Sequence, residues 1–256
     1  MSVVDIASRD NALVVRVRRL ARTPAAYRHE GAVWLEGEHL CSAFVARGGR
    51  AAQALVAAST WDVPALRAIA GCAARIARVP DALFASVSGL ESPAGIGFVI
   101  DLPAPPPIDP PQASVVLDRV QDAGNVGSIL RSAAAMGYAQ VVALAGTAAL
   151  WSPKVLRAGM GAHFGLRLIE GADEAALATL QMPLLATSSH ADETLGDTAL
   201  PWPCAWVLGH EGQGVSPTLL QRCALQLRIP QPGGEESLNV AAAAAICLYE
   251  SARRVL

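Results

Sequence analysis

The chain has 256 residues, is 52% hydrophobic and carries a formal net charge of −2. That composition excludes a disordered chain, and the charge balance excludes a uniformly basic nucleic-acid binder while leaving room for a local basic face. No apolar run reaches the ~18–20 residues that a membrane helix requires. The N-terminus, MSVVDIASRDN, lacks the basic region and apolar core of a signal peptide, so a cytoplasmic protein is expected. Five scattered cysteines with no CxxC pair argue against a zinc site or a secreted disulfide framework and read as buried, reduced thiols.

Asn11 to Arg22 reads as a helix, with Leu13, Val17 and Leu20 on one stripe and arginines beside it. Arg16, Arg18, Arg19, Arg22 and Arg28 all fall within residues 11–29, a span without an acid. The pattern suits a solvated helix face and a phosphate-contacting surface alike, because guanidinium forks match phosphate oxygens. Ala32–Glu36 reads as a strand closed by Gly37, Glu38–Ala46 as a helix, Ala54–Ala58 as a strand, Val63–Ala77 as helical spacing and Gly95–Ile100 as a strand. Residues 1–100 therefore form a small α/β unit of normal domain size. Residues 101–112 follow as a linker: six of the eleven residues 101–111 are proline, and such a run sustains neither a helix nor an inner strand.

From residue 113 to 256 strands and helices alternate. Strands are expected at Ser114–Leu117, Gln140–Leu144, Gly165–Ile169, Pro183–Thr187, Cys204–Leu208 and Leu225–Ile229. Helices are expected at Val126–Met136, Ser152–Ala158, Asp173–Leu180, Pro217–Arg222 and from Ser237 onward. The alternation predicts an α/β fold with a mainly parallel sheet and helices on both faces, whose ligands bind beyond the carboxyl ends of the strands. The final helix, with its five alanines and Ile246-Cys-Leu-Tyr249, shows no obvious polar face and is expected to be deeply buried.

Three polar or glycine-rich stretches each follow a predicted strand, which places them on one edge of that sheet. The first runs from Asp118 to Arg131; Gly124 suits a turn, Asn125 suits the N-cap of the helix from Val126, and Arg131 falls in its second turn. In the second, Gly209-His-Glu211-Gly212-Gln-Gly214, the glycines let backbone groups approach a ligand. It is neither GxGxxG, a P-loop nor HExxH, and alone it reads as a tight hairpin-like loop. The third, Gln231-Pro-Gly-Gly-Glu235-Glu236-Ser237-Leu238-Asn239, makes Ser237 a cap for the final helix, which does not account for Glu235, Glu236 and Asn239 together.

In order, NxGxxxR from Asn125, GxEGxG from Gly209 and IPxxGxxxSLNVAxA from Ile229 resemble the SpoU (TrmH-like) family of RNA 2′-O-ribose methyltransferases, of the knotted SPOUT class. The likeness covers the whole region after the linker and takes in Trp151-Ser-Pro-Lys-Val-Leu-Arg157. The N-terminal unit is similar to the substrate-binding module of many members, built like a small ribosomal RNA-binding protein. Ser8-Arg9-Asp10-Asn11, the arginine helix and Val33-Trp34-Leu35-Glu36-Gly37 carry that likeness; Ala25–Glu30 departs from it, since members often have more basic residues there.

The resemblance implies a trefoil-knotted α/β methyltransferase domain over 113–256, an RNA-binding domain over 1–100, and a homodimer paired through Val126–Met136 and the final helix. It implies methyl transfer from S-adenosylmethionine to a ribose 2′-hydroxyl without a metal. The implied catalytic set is Asn125, Arg131, Glu211, Ser237 and Asn239. The implied cofactor site comprises Thr187, Ser188, Leu208, Gly209, Glu211, Gly212, Ile229, Pro230, Ser237, Leu238 and Asn239. RNA contacts are expected from Arg16, Arg18, Arg19, Arg22, Lys154 and Arg157. In-line transfer needs positioning above all. A guanidinium with a pKa above ~12 does not give up its proton, so Arg131 is expected to hold the phosphate or hydroxyl of the target nucleotide, and proton removal falls to Glu211 or water. The separate N-terminal module favours ribosomal RNA over tRNA. Two competing classes remain: a non-catalytic RNA-binding or assembly protein, disfavoured by the complete polar set, and a nucleotide-dependent oxidoreductase, disfavoured by the missing GxGxxG.

Overall fold

The computed structural model describes residues 3–233 and 237–253, so Gly234, Glu235 and Glu236 of the third stretch lie outside the described residues. The chain divides into two units, one of residues 1–104 with 151–164 and one of residues 105–150 with 165–256.

The first unit is built on β1 (Val3–Asp5), α1 (Ala12–Arg22), α2 (Ala26–Glu30), β2 (Ala32–Glu36), α3 (Glu38–Ala46), β3 (Gln53–Ala57), α4 (Ala58–Trp61), α5 (Pro64–Ala70), β4 (Arg75–Val79), α6 (Asp81–Val87) and β5 (Ile96–Asp101). The strands form one sheet in the order β1-β4-β3-β5-β2. In it β5 runs antiparallel to β2 and β3, and the other pairs are parallel. α1 starts where it does because Asn11 Oδ1 accepts from the Leu13 N–H at 3.0 Å, and it buries Val14, Val17 and Leu20. The helical spacing read over 63–77 breaks in two. α5 stops at Gly71, and Ile76, Ala77 and Val79 are buried in β4 between β1 and β3. Alanines at every few positions mimic a helical stripe there, and only the sheet's need for an inner strand decides otherwise. In the Val33–Gly37 motif, Glu36 is buried and accepts from Trp34 Nε1 and the Gly89 N–H, each at 3.2 Å, and from the Ser88 hydroxyl, tying β2 to the segment after α6.

The second unit contains β6 (Ser114–Asp118), α7 (Ala123–Ala135), β7 (Gln140–Leu144), β8 (Arg167–Ala172), β9 (Leu184–Thr187), β10 (Ala205–Gly209), α9 (Pro217–Arg222), β11 (Leu225–Leu227) and α10 (Val240–Ala252). The remaining helix, α8 (Pro153–Gly159), is capped by Ser152 and belongs with residues 151–164 to the first unit, although the sequence reading set this stretch in the C-terminal domain. Its apolar side chains Val155 and Leu156 are buried and the helix packs against α1 and β2.

The second unit's six strands run β11-β9-β10-β6-β7-β8, every pair parallel. Side chains alternate between faces with the two-residue period of a strand. Val116, Val142 and Val207 pack in one cluster with Leu177 and with Leu219 of α9, while Trp206, wholly buried, donates from Nε1 to Ser251 Oγ of α10 at 2.9 Å. The segment expected as a helix at 173–180 is a 3-10 helix over Ala175–Thr179.

Three expectations about helix ends and faces are corrected. α7 begins at Ala123 under an Asp122 cap rather than at Val126 under Asn125, which puts Arg131 in the third turn. An aspartate caps as well as an asparagine, and Asp122 Oδ1 accepts from the Asn125 N–H at 2.9 Å. α10 begins at Val240 under Asn239, not under Ser237. It is also not buried all round: Ala244, Cys247, Leu248 and Ser251 are covered, but Ile246 is 40% and Tyr249 54% exposed. Of the cysteines, all free, Cys41, Cys204 and Cys247 are buried whereas Cys72 is exposed.

Leu248 is fully buried on the inner face of α10. Leu248→Ala should therefore destabilise the protein by about 2–5 kcal/mol, read as a lowered denaturant midpoint with an unchanged slope.

Candidate active site

Because all strand pairs in the six-stranded sheet are parallel, the loops after β6, β9 and β10 leave from the same edge. Asp118 and Gly209 end adjacent strands in register, which sets the first two motif loops side by side. Gly209 is demanded by packing: a Cβ there would lie 2.1 Å from Val215 N and 2.2 Å from the Gly214 carbonyl carbon. The loop then closes on itself. His210 and Gly214 exchange backbone hydrogen bonds of 3.0 and 2.8 Å, and His210 Nδ1 accepts from the N–H groups of Gly212 and Gln213 at 2.9 and 3.3 Å. Nδ1 must therefore carry a lone pair in this loop.

Two carboxylates bind this loop to the one after β6. Asp118, buried at the end of its strand, accepts from the Ser216 N–H at 2.7 Å and from Arg119 Nε and Nη2 at 2.9 and 3.2 Å. Arg119 reaches its own neighbour in this way from a left-handed backbone, φ 57°, and its Nη1 donates to Gln213 at 3.0 Å. Burial works against ionised Asp118, but the hydrogen bonds from Arg119 and Ser216 outweigh it and hold the carboxyl below its ordinary range.

Glu211 does the same from the other side. Its Oε1 accepts from the Asp122 N–H and Asn125 Nδ2, both at 3.0 Å, and its Oε2 from the Gln121 N–H at 3.1 Å. Burial raises its pKa, yet the Asn125 amide and the backbone N–H groups of Asp122, Gln121 and Glu211 itself outweigh burial and bring it from 4.5 down to about 2. Asn125 then passes the connection on: its Oδ1 accepts from Asn239 Nδ2 at 3.0 Å, and Asn239 Oδ1 accepts from the Ala241 and Ala242 N–H groups at 2.9 and 3.3 Å. One chain of side-chain hydrogen bonds, Glu211–Asn125–Asn239, thus joins all three motif stretches to the first turn of α10.

Beside this chain opens a cleft of about 650 Å³, within the ~300–1,000 Å³ usual for small-molecule sites. Thr187 at the end of β9 and Ser188 after it, Leu208 to Val215, and Ser237 to Val240 line it, with Leu220 and Ala243. A recess of about 160 Å³ adjoins it, sharing Thr187, Ser188, Ser237 and Leu238 and adding Arg228, Ile229 and Gln231. Of the residues expected at a cofactor site, Pro230 alone lines neither space and is exposed. The structure brings Asn125, Glu211 and Asn239 into contact and sets Ser237 on the cleft wall. Arg131 is exposed on α7 and makes no hydrogen bond to any of them.

Sequence reading missed Asp118, Arg119 and the His210 ring. Asp118 and Arg119 stood inside the first stretch, but their pairing with each other, made from a left-handed backbone at Arg119, leaves no mark in local pattern. In the first unit, the expected RNA-contact arginines are partly engaged. Arg16 Nε and Arg19 Nη1 reach Glu30 at 3.2 and 2.6 Å, and Arg22 Nη2 donates to Ser86 O at 2.8 Å.

The sequence model of the SpoU rRNA Methylase family matches residues 112–249. An uncharacterized tRNA/rRNA methyltransferase of Synechocystis is 31% identical over 98% of this chain and 94% of its own length. The 23S rRNA (guanosine(2553)-2′-O)-methyltransferase RlmP of Bacillus subtilis is 30% identical, covering 84% of this chain and 86% of its own. A solved RNA 2′-O ribose methyltransferase superposes with a TM-score of 0.83 at 29% identity, covering 98% of this chain and all of the other.

Gly209→Ala should open the His210–Gly214 hairpin, read as faster hydrogen exchange at those two amides. Glu211→Gln presents an amide N–H₂ to N–H donors and should cost about 1 kcal/mol of stability at neutral pH. The sign follows from a pKa lowered on folding: the Glu211 contribution is complete above pH 4.5 and is lost as pH falls toward about 2. The stability difference between wild type and Glu211→Gln should therefore stay constant from neutrality to about pH 5 and shrink below it.

Proposed function

This chain belongs to the SpoU rRNA methylase family, and on that premise we propose that it methylates a ribose 2′-hydroxyl of ribosomal RNA with S-adenosylmethionine as methyl donor. The observation that carries the reading is the Glu211–Asn125–Asn239 chain, which gathers the family's motif residues at the mouth of a cleft of suitable size. The cleft wall also fits a nucleoside-bearing cofactor in kind: apolar Leu208, Val215 and Leu220 stand among the hydroxyls of Thr187 and Ser188 and exposed loop backbone.

S-adenosylmethionine bound there supplies an electrophilic methyl group. Leu208, Gly209, Ile229 and Leu238 would hold the nucleoside, with Thr187, Ser188, Glu211 and Gly212 around it, whereas Pro230, which lines neither space, would not. Asn125, Ser237 and Asn239 orient the reacting groups, and Arg131 binds a phosphate of the target nucleotide. Glu211 positions rather than deprotonates. Its pKa of about 2 and its three hydrogen-bond donors make it a poor base at neutral pH, so the 2′-hydroxyl proton passes to water.

In this reading the second unit is an α/β knot, its C-terminal segment passing through the connection between β9 and β10. The bonds that tie that connection to the end of β11 support it: the Arg228 N–H donates to Glu193 O at 2.8 Å and the Leu195 N–H to Arg228 O at 2.9 Å. A homodimer is proposed from the exposed Ile246 and Tyr249 of α10, which packs on α7. The first unit is proposed to bind the RNA. Among the described residues no helix is long and apolar enough to cross a membrane, and the cytoplasm, where ribosomal RNA is made and modified, is the proposed compartment.

Mapping of ribose methylations in ribosomal and transfer RNA, from cells with and without the gene, should show one ribosomal site lost. A lost tRNA site instead would reassign the substrate, and no lost site would favour a binding or assembly role. By calorimetry the protein should bind S-adenosylmethionine and not NAD. Asn239→Ala, which removes both the α10 cap and the link to Asn125, should weaken that binding about 10-fold, or ~1.4 kcal/mol. Ile246→Arg with Tyr249→Asp should convert a dimer of the 26.5 kDa chain to monomer in light scattering.

A further inference from the structure

The first unit sorts its charge between the two ends of its sheet. β2 and β3 both run antiparallel to β5, and β4 runs parallel to β3, so the three share one direction. Beyond their C-terminal ends stand the exposed acids Glu38, Asp62 and Asp81, with Glu91 in the segment that leads into β5. At their N-terminal ends stand Arg28 and His29 ahead of β2, Arg47 and Arg50 ahead of β3, and Arg75 at the start of β4. The acid at this second end is Asp101, together with Glu30, which Arg16 and Arg19 neutralise. From residue 39 to 80 the sequence holds five arginines and a single acid, Asp62. A protein with net charge −2 thus concentrates positive charge on one edge.

Three of these arginines lie on adjoining segments. The Ala74 N–H donates to Ala51 O at 2.9 Å and Gln53 pairs with Arg75, which brings the approach to β3 beside the approach to β4. Arg47 and Arg50 flank a turn that only glycine fits. Gly48 has φ +79°, and a Cβ on Gly49 would lie 2.5 Å from the Phe44 ring. Arg47, Arg50 and Arg75 are exposed, and none makes a side-chain hydrogen bond or ion pair with another described residue. The other two of the five are occupied: Arg78 is forked onto Asp5 at 2.6 and 3.0 Å, and Arg67 lies 6.0 Å over the Trp61 ring. Guanidinium groups without partners on a fixed turn match the spaced phosphates of a nucleic-acid backbone better than Arg16 and Arg19 of α1, which Glu30 already holds.

We propose that the edge formed by Arg47, Arg50 and Arg75 is the surface with which the first unit grips RNA phosphates. The proposal rests on the methyltransferase reading above and moves the main contact away from α1. It predicts sequence-independent affinity with a steep salt dependence, since each neutralised phosphate releases counterions.

The test measures binding of the full chain to unmodified 23S ribosomal RNA made by transcription, across a salt series, with S-adenosylmethionine calorimetry on each variant to confirm an intact second unit. Combined R47Q, R50Q and R75Q should weaken RNA binding by roughly 10-fold or more at moderate salt and lower the slope of log affinity against log salt by about 2, at ~0.7–0.9 per lost contact. S-adenosylmethionine affinity should not change. If the triple variant binds and methylates the RNA as wild type does, or if R16Q with R19Q produces the loss instead, the proposal is overturned and the methyltransferase reading stands. If wild type neither binds nor methylates the RNA, both fall.

Discussion

The arrangement of the second unit's polar edge depends on a chain of three side chains. Glu211 fixes the direction of every hydrogen bond after it. An ionised carboxylate can only accept, so Asn125 must turn its Nδ2 toward it and its Oδ1 away, where Asn239 donates. Asn239 then has only its Oδ1 left for the N–H groups that open α10. The polarity runs without a break from a backbone helix end to a carboxylate, the alignment in which successive hydrogen bonds reinforce one another. Three stretches, the outer two 114 residues apart in the chain, are set in register by this one directional constraint.

A pinned carboxylate is a poor proton acceptor, and the same bonds that give Glu211 its architectural role remove its basicity. Asp118 follows a similar logic one strand away, holding Ser216 and Arg119 while remaining ionised despite burial. The edge is organised to hold groups still rather than to move protons. That suits a transfer in which the donor is already activated as a sulfonium and in which orientation supplies most of the acceleration. Gly209 belongs to the same design, since its missing side chain lets the hairpin lie directly against the end of β10.

The first unit shows a different use of charge. Its acids and arginines are separated between the ends of a mixed sheet, although the chain as a whole is nearly neutral. Overall charge thus says little about partners here; what matters is which arginines the fold leaves without an acid. Glu30 engages Arg16 and Arg19 of the helix that local sequence made conspicuous, while the segment of Arg47 and Arg50 comes beside Arg75 only through β3 and β4 pairing.

The sequence by itself determined the alternation of strands and helices, the proline-rich stretch in which the two units divide, and the three motif stretches, because these are local: hydrophobic period, proline content and motif spacing need no knowledge of distant contacts. α3, β7 and α9 fall on their expected residues for that reason. Tertiary structure decided whatever depended on competition between equivalent groups. Asp122 and Asn125 both suit a cap, and so do Ser237 and Asn239; Asp122 caps α7 while the Asn125 side chain bridges Glu211 and Asn239, and Asn239 caps α10 with its Oδ1 while its Nδ2 reaches Asn125. It decided that the segment at 75–79 is a strand, because a sheet position was open between β1 and β3. It placed Trp151–Phe164 with the first unit and left Ile246 and Tyr249 of α10 uncovered, though the helix is apolar over most of its length. Local pattern says which side chains want burial, but only packing says how many of them find it.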